Sequence, residues 1–201
     1  MTTLTAAELK VANPKRFDKE YYRWAGYGLY DEWWEGDYEA FKDRCSRLGI
    51  RVDNISFSGF HSQGDGASFR ARVCLTMFME HTKLHLEYPA LYIAVKNDGS
   101  YMMVEPTQNR CMRGGSYEMW ANQTEPEGVF ADLDQDTWSD LVDEQDNEAG
   151  MEDRVVEFCK QLAADLYSDL NSTYEHLTSE DEFIASCEAN DITFETEGET
   201  T

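Results

Sequence analysis

Apolar residues recur along this chain with two periods, and the changes of period divide it into elements. From Asp31 to Leu48 the positions Trp34, Tyr38, Phe41, Cys45 and Leu48 step by three or four, the spacing of one helical face. Gly49 follows as a helix stop. Residues 52–60 read as a strand with Ile55 and Phe57 on one face, and 67–75 alternates apolar and polar positions, the pattern of a half-buried strand. The Gly-rich stretch between them makes the pair a hairpin with a long loop. Residues 75–87 return to helical spacing and are closed by Pro89. A second hairpin is expected from 91–95 and 101–104 around Asn97-Asp98-Gly99, because Asp-Gly between two apolar runs is a turn signal. Residues 117–121 read as a third component of this sheet.

Upstream, residues 1–12 suit a short helix or a disordered lead, and Pro14 interrupts. Residues 17–30 are aromatic (Phe17, Tyr21, Tyr22, Trp24, Tyr27, Tyr30), with breaks at Gly26 and Gly28. Downstream, Met151, Val155, Phe158, Leu162, Leu166 and Leu170 form one apolar stripe on a long helix over 151–175. Ser179-Glu-Asp-Glu182 is a capping box opening a second helix that runs to Asn190, and Ile192 and Phe194 suit a short strand. The stretch after Pro126 is either a helix near 135–144 or a loop.

These elements predict an α+β fold: a mainly antiparallel sheet built from hairpins, packed by helices, with a C-terminal acidic helical pair. One domain is expected overall, divided by charge into a balanced core over 1–125, an acidic loop or short helix over 126–150, and acidic helices over 151–201. At 13% aromatic and 41% hydrophobic residues the chain can fill a core, which a disordered segment of this charge could not. No apolar run approaches the ~18 residues that cross a bilayer, and the first residues lack a basic-then-apolar signal pattern. The expected compartment is the cytoplasm. Five widely spaced cysteines without a CxxC pair read as reduced thiols packed as small hydrophobes.

Charge changes the picture most. Residues 1–116 hold 15 acidic and 15 basic side chains, whereas 117–201 hold 25 and 2, the latter Arg154 and Lys160, so the whole net charge of -23 falls in the last 85 residues. Such a half repels phosphate backbones and anionic membranes, which excludes direct nucleic-acid or membrane binding through it. The richest block is Asp132, Asp134, Asp136, Asp140, Asp143, Glu144, Asp146 and Glu148, with Trp138 as an apolar anchor among them. Carboxylates around one aromatic anchor suit electrostatically steered binding to a protein with a basic surface. The plainer reading is a solvated face with Trp138 buried.

Among shorter motifs, Ser58-Gly-Phe-His-Ser-Gln-Gly-Asp-Gly66 is the sharpest. It presents His61, Ser62, Gln63 and Asp65 to a ligand or partner, or it is an internally hydrogen-bonded turn held by Asp65 and Ser62. It lacks the Gly-Lys-Ser/Thr ending of a phosphate loop. His81 and His85 stand four apart on one expected helix, without a third metal ligand nearby in sequence. No nucleophile elbow or activated cysteine context occurs. The residues therefore point to a protein that is not an enzyme, with no catalytic residues, metal or cofactor. The aromatic cluster Tyr21, Tyr22, Trp24, Tyr30, Trp33 and Trp34 is core packing or an interface patch.

Asp31-Glu-Trp-Trp34, the segment Ile55–Phe69 with its Ser-Gly-Phe-x-Ser-Gln-Gly-Asp-Gly loop, Tyr174–Glu182 and Glu188–Glu195 together resemble a family of small tailed-phage proteins, some labelled as the antitoxin of a toxin–antitoxin system. The similarity spans about residues 17–197, and the loop is its most specific part. His61 departs from it, standing where that family carries an aromatic residue. The resemblance implies a phage origin and action in the host cytoplasm, and it supplies no catalytic residues. Three functions are then expected: an acidic inhibitor of a host nucleic-acid-binding or defence protein, a binder of a small nucleotide signal through the Gly-rich loop, or an antitoxin neutralising a basic toxin. The oligomeric state, monomer or homodimer, stays open.

Overall fold

The computed structural model describes residues 3–62, 65–99, 101–108, 117–122 and 151–196. In chain order these form β1 (Thr3–Leu4), α1 (Ala6–Ala12), α2 (Pro14–Ala25), α3 (Glu35–Arg47), β2 (Ile50–Phe57), β3 (Ala67–Cys74), α4 (Leu75–Thr82), α5 (Leu84–Glu87), α6 (Pro89–Asp98), β4 (Tyr101–Gln108), β5 (Tyr117–Asn122), α7 (Met151–Leu177), α8 (Glu180–Ala189) and β6 (Phe194–Glu195). The fold is α+β with antiparallel sheets, as expected. Packing divides it into two compact units, Met1–Glu35 with Leu170–Thr201, and Gly36–Asp169. This division follows contacts, whereas the one drawn in the sequence at 125 and 151 follows charge.

The larger unit, Gly36–Asp169, holds a four-stranded sheet in the order β2-β3-β4-β5. The expected hairpin forms, β3 as the period-two pattern places it and β2 over 50–57 rather than 52–60, in the register Ile50↔Val73, Ile55↔Phe69 and Phe57↔Ala67, with an irregularity between Val52 and Asn54. Ala67, Phe69, Ala71 and Val73 are all buried. Alternation puts them on one face, and helices supply their partners. The ring of Phe41 from α3 meets Phe69 edge-on at 5.1 Å. From α7 come Met151, Val155, Cys159, Leu162 and Leu166, all buried at three- to four-residue steps. Each such large side chain contributes about 1.5–3 kcal/mol on burial.

The second expected hairpin is a correction. Residues 91–95 are not a strand but the middle of α6. Leu91 and Val95 are buried while Ile93 is 60% exposed, which is a helical spacing; in a strand all three would share a face. Pro89 sits at the start of α6, and Gly99, at φ 65°, caps its end with its N–H donating to the Val95 carbonyl at 3.0 Å. Asp98-Gly99 therefore ends a helix rather than turning a hairpin. β4 instead pairs β3 (Val73↔Met102) and β5 (Val104↔Ala121). The helix expected over 75–87 is two helices, because Lys83 takes a left-handed conformation at φ 64°. The helix expected from Asp31 starts at Glu35, after Glu32 at φ 67°.

The smaller unit is built from separated stretches. β1 pairs β6, Thr3 against Glu195 and Leu4 against Phe194. Ala6, Leu9, Phe17, Phe183 and Cys187 form its core, with Tyr21, Trp24 and Ile184 packed around them. α1 opens with a full capping box from Thr5 and Glu8. α2 begins at Pro14, which is a start rather than an interruption, with Asn13 accepting from the Arg16 N–H at 3.2 Å. α8 opens at Ser179, whose hydroxyl accepts from the Glu182 N–H at 3.1 Å. Tyr21 donates to the Thr178 carbonyl at 2.7 Å, and Lys10 pairs with Glu180 at 2.7 Å.

Candidate functional site

The loop between β2 and β3 is closed at its neck by two hydrogen bonds. Ser58 N–H donates to the Gly66 carbonyl at 3.0 Å, and Gly66 N–H donates to the Ser58 hydroxyl at 3.1 Å. Further out, one carboxylate oxygen of Asp65, Oδ2, accepts from the backbone N–H groups of His61 (2.9 Å) and Ser62 (2.6 Å). Asp65 N–H returns a bond to the Ser62 carbonyl at 3.2 Å. These charge-assisted bonds hold the turn from within. Of the residues singled out in the sequence, Asp65 thus faces the loop's own backbone, and His61 and Ser62 are exposed at its tip. Gln63 lies outside the described residues.

Aromatic rings brace this loop. Phe60 stacks on Phe57 with centroids 5.8 Å apart, and the ring of Tyr167 from α7 lies 5.4 Å from Phe60. Tyr38 of α3 meets Phe57 edge-on at 6.4 Å. The Tyr167 hydroxyl donates to the Gly59 carbonyl at 3.1 Å. Burial, with the Asp65 carboxylate as a second cause, raises the pKa of this phenol above its ordinary value, so it stays a donor. Tyr167 was missed in the sequence, because it lies off the apolar stripe of its helix and 108 residues from Gly59.

The acidic surface is the second candidate. Asp132, Asp134, Asp136, Trp138, Asp140, Asp143 and Glu144 all lie outside the described residues. Within them, Asp153, Glu157, Asp169 and Glu175 are exposed along α7, and Asp181, Glu188, Asp191 and Glu195 are exposed beyond it. Asp153 and Glu157 are separated by about 6 Å along the helix axis, one turn. Of the two cations in the acidic half, Arg154 pairs with Glu87 at 3.7 Å and Lys160 is exposed. Four arginines of the balanced half are likewise engaged: Arg44 with Asp169, Arg51 and Arg72 with Asp53, and Arg70 with Glu105. Glu180, Asp181 and Glu182 have a local role as well, since carboxylates in a first turn complement the helix dipole.

The histidine pair is not the helical pair expected. His81 ends α4 and its ring meets Phe158 at 5.9 Å, whereas His85 lies on α5 beyond left-handed Lys83, its Nδ1–H donating to the Met79 carbonyl at 3.0 Å. Among the described residues no group of three or more His, Cys, Asp or Glu is placed to hold a metal ion, and no helix is long and apolar enough to cross a membrane. Cys45 and Cys159 are fully buried, which pushes their thiols up to about 11 and about 12.

Residues 33–180 match a domain of unknown function, DUF8835, so the chain belongs to that family. The matched span contains the braced loop, the four-stranded sheet and the whole of α7, and it ends at Glu180, the first residue of α8. No curated protein and no solved structure matches the chain.

Proposed function

We propose that this chain is a phage-encoded acidic interaction protein. It acts without catalysis in the host cytoplasm, binding and inhibiting a host nucleic-acid-binding or defence protein through that protein's basic surface. The observation that carries the reading is the segregation of charge, 25 acidic against 2 basic side chains in residues 117–201 with a balanced remainder. A uniformly acidic chain would indicate only solubility. Segregation leaves one region with a strong negative field, which steers a basic partner and competes with its nucleic acid. The loop's hydrogen bonds favour the same reading over a nucleotide binder, since Asp65 is occupied by the His61 and Ser62 amides. An antitoxin that neutralises a basic toxin uses the same physics.

The test starts with the tagged chain as bait in phage-infected host cells, eluting with salt. Asp134, Asp136, Asp140 and Asp143 are then changed together to Asn, and Trp138 to Ala in a second variant. Association with the captured protein is expected to slow steeply with added salt, as charge-driven encounter does. The tetra-Asn variant is expected to associate more slowly at low salt, and Trp138→Ala to dissociate faster. A tetra-Asn variant that associates as fast as the parent overturns the reading. Binding that survives both changes but fails in Asp65→Ala assigns the function to the loop.

A further inference from the structure

Within 21–30 the sequence sets five aromatic residues, and the fold treats them in two ways. Tyr21 and Trp24 pack on Phe183, at centroid distances of 6.0 and 5.4 Å. Tyr22, Tyr27 and Tyr30 are left 71%, 81% and 65% exposed. The aromatic cluster of the sequence is therefore core in one part and surface in the other. Exposed tyrosines at this density are the composition of an interface centre rather than of a solvated face. Past the end of α2, Gly28 at φ 76° and Glu32 at φ 67° take left-handed conformations, and Asp31, Glu32 and Glu35 follow Tyr27 and Tyr30 within the same nine residues of sequence. All three carboxylates are exposed and make no ion pair among the described residues.

We propose that the tyrosine-rich turn 27–35 is a docking surface for an arginine-bearing segment of a partner protein. The occupant follows from charge and ring chemistry together. A tyrosine face attracts a cation, and a guanidinium stacks on it while its edge donates two parallel hydrogen bonds to a carboxylate. An ammonium offers a point charge and no flat face. Lys19 lies three residues before Tyr22, one helical step away, and Arg23 is paired with Glu20 at 2.8 Å. The incoming cation therefore seats at the Tyr27–Glu35 end, where every charged residue of the stretch is a carboxylate. The inference rests on the reading above for the sign of the partner, and names the side chain it presents.

The full chain is titrated by calorimetry with an arginine–glycine repeat peptide and its lysine–glycine counterpart, at an ionic strength of about 0.15 M. The arginine peptide is expected to bind about fivefold more tightly or better, the margin of one to two stacked cations. Tyr27→Ala with Tyr30→Ala is expected to remove that margin and leave the lysine peptide's affinity unchanged. Tyr27→Phe with Tyr30→Phe, which keeps the rings, is expected to retain it. Circular dichroism checks folding, which these exposed positions do not disturb. Equal affinity for the two peptides overturns the proposal, as does a margin that survives both alanines. The tetra-Asn variant separates the readings: if it abolishes binding while the alanines change nothing, the acidic half is the interface and this turn is not. If the alanines remove the margin and tetra-Asn has no effect, the turn stands and the reading of the acidic half falls.

Discussion

Gly49, between α3 and β2, is held by two independent constraints, and substitution there allows them to be measured separately. Its φ of 76° is left-handed, and a Cβ added to it would lie 2.6 Å from Met77 Cβ and 2.9 Å from Met77 Sδ. Gly99, at φ 65° in the same unit, has nothing within 4 Å of such a Cβ. A left-handed non-glycine residue costs about 1–2 kcal/mol, and Gly→Ala returns about 0.4–1 kcal/mol by narrowing the unfolded ensemble. Gly99→Ala should then destabilise by about 1 kcal/mol or less. Gly49→Ala adds an overlap with Met77 worth about 1–3 kcal/mol, for a total near 3 kcal/mol. Met77 is 43% exposed, so removing its side chain costs little beyond the about 1 kcal/mol of a helical glycine, and because the closest overlap is with its Cβ only glycine opens the space. In a urea-unfolding cycle of Gly49→Ala and Met77→Gly, the coupling should be favourable by about 2 kcal/mol and should restore Gly49→Ala to the level of Gly99→Ala once the cost of Met77→Gly alone is subtracted. Equal costs for the two glycines, or a coupling below about 0.5 kcal/mol, would refute the steric account.

Asp65→Ala should release the loop tip: amide exchange at His61 and Ser62 should quicken roughly tenfold, the loss of about 1.5 kcal/mol of charge-assisted bonding, while β3 amides keep their protection. Unchanged exchange at those two amides would show that Asp65 is not the staple. The thiols of Cys45 and Cys159 should resist alkylation in the folded protein while half-exposed Cys74 reacts, as peptide mapping by mass spectrometry would show. Burial raises both pKa values in the fold above the ordinary 9.0, so their contribution to stability is complete below pH 9 and is lost as pH rises towards about 11 and 12. Urea midpoints that stay flat through that alkaline window in the wild type, when Cys159→Ala is compared, would contradict it.

The sequence was legible where a pattern ran long enough to allow one period. The α7 stripe from Met151 to Leu170 spans five helical turns, and of its named positions all but half-buried Phe158 are buried. The Ser179 cap and the alternation of 67–74 are local signals that nothing distant overrides. Residues 91–95 failed for the opposite reason. Leu91, Ile93 and Val95 fit period two, Leu91 and Val95 alone fit period four, and five residues cannot decide between them. The arbiter was the spacing from Pro89 to Gly99, one capped helix in length, which the Asp-Gly turn signal had claimed for a hairpin. At the loop, glycines and Asp65 announced a turn, but its bracing by Tyr167 depends on tertiary packing that no local pattern carries. Lys83 splits one expected helix and Glu32 delays the start of another, both left-handed although their side chains give no hint of it.

The pairing of β1 with β6 has a consequence for synthesis. Ala6, Leu9 and Phe17 emerge from the ribosome early, yet the residues that cover them, Phe183 and Cys187, come at least 166 residues later, and Arg16 waits for the Glu195 carbonyl, which it meets at 2.6 Å. Gly36–Asp169 is continuous in sequence and has its partners at hand as it is made. The smaller unit closes across a long chain separation, the kind of contact that forms slowly because loop closure precedes its reward. A product cut short before Phe183 would therefore carry a folded larger part and a naked apolar helix face, the mark by which chaperones and proteases sort incomplete chains.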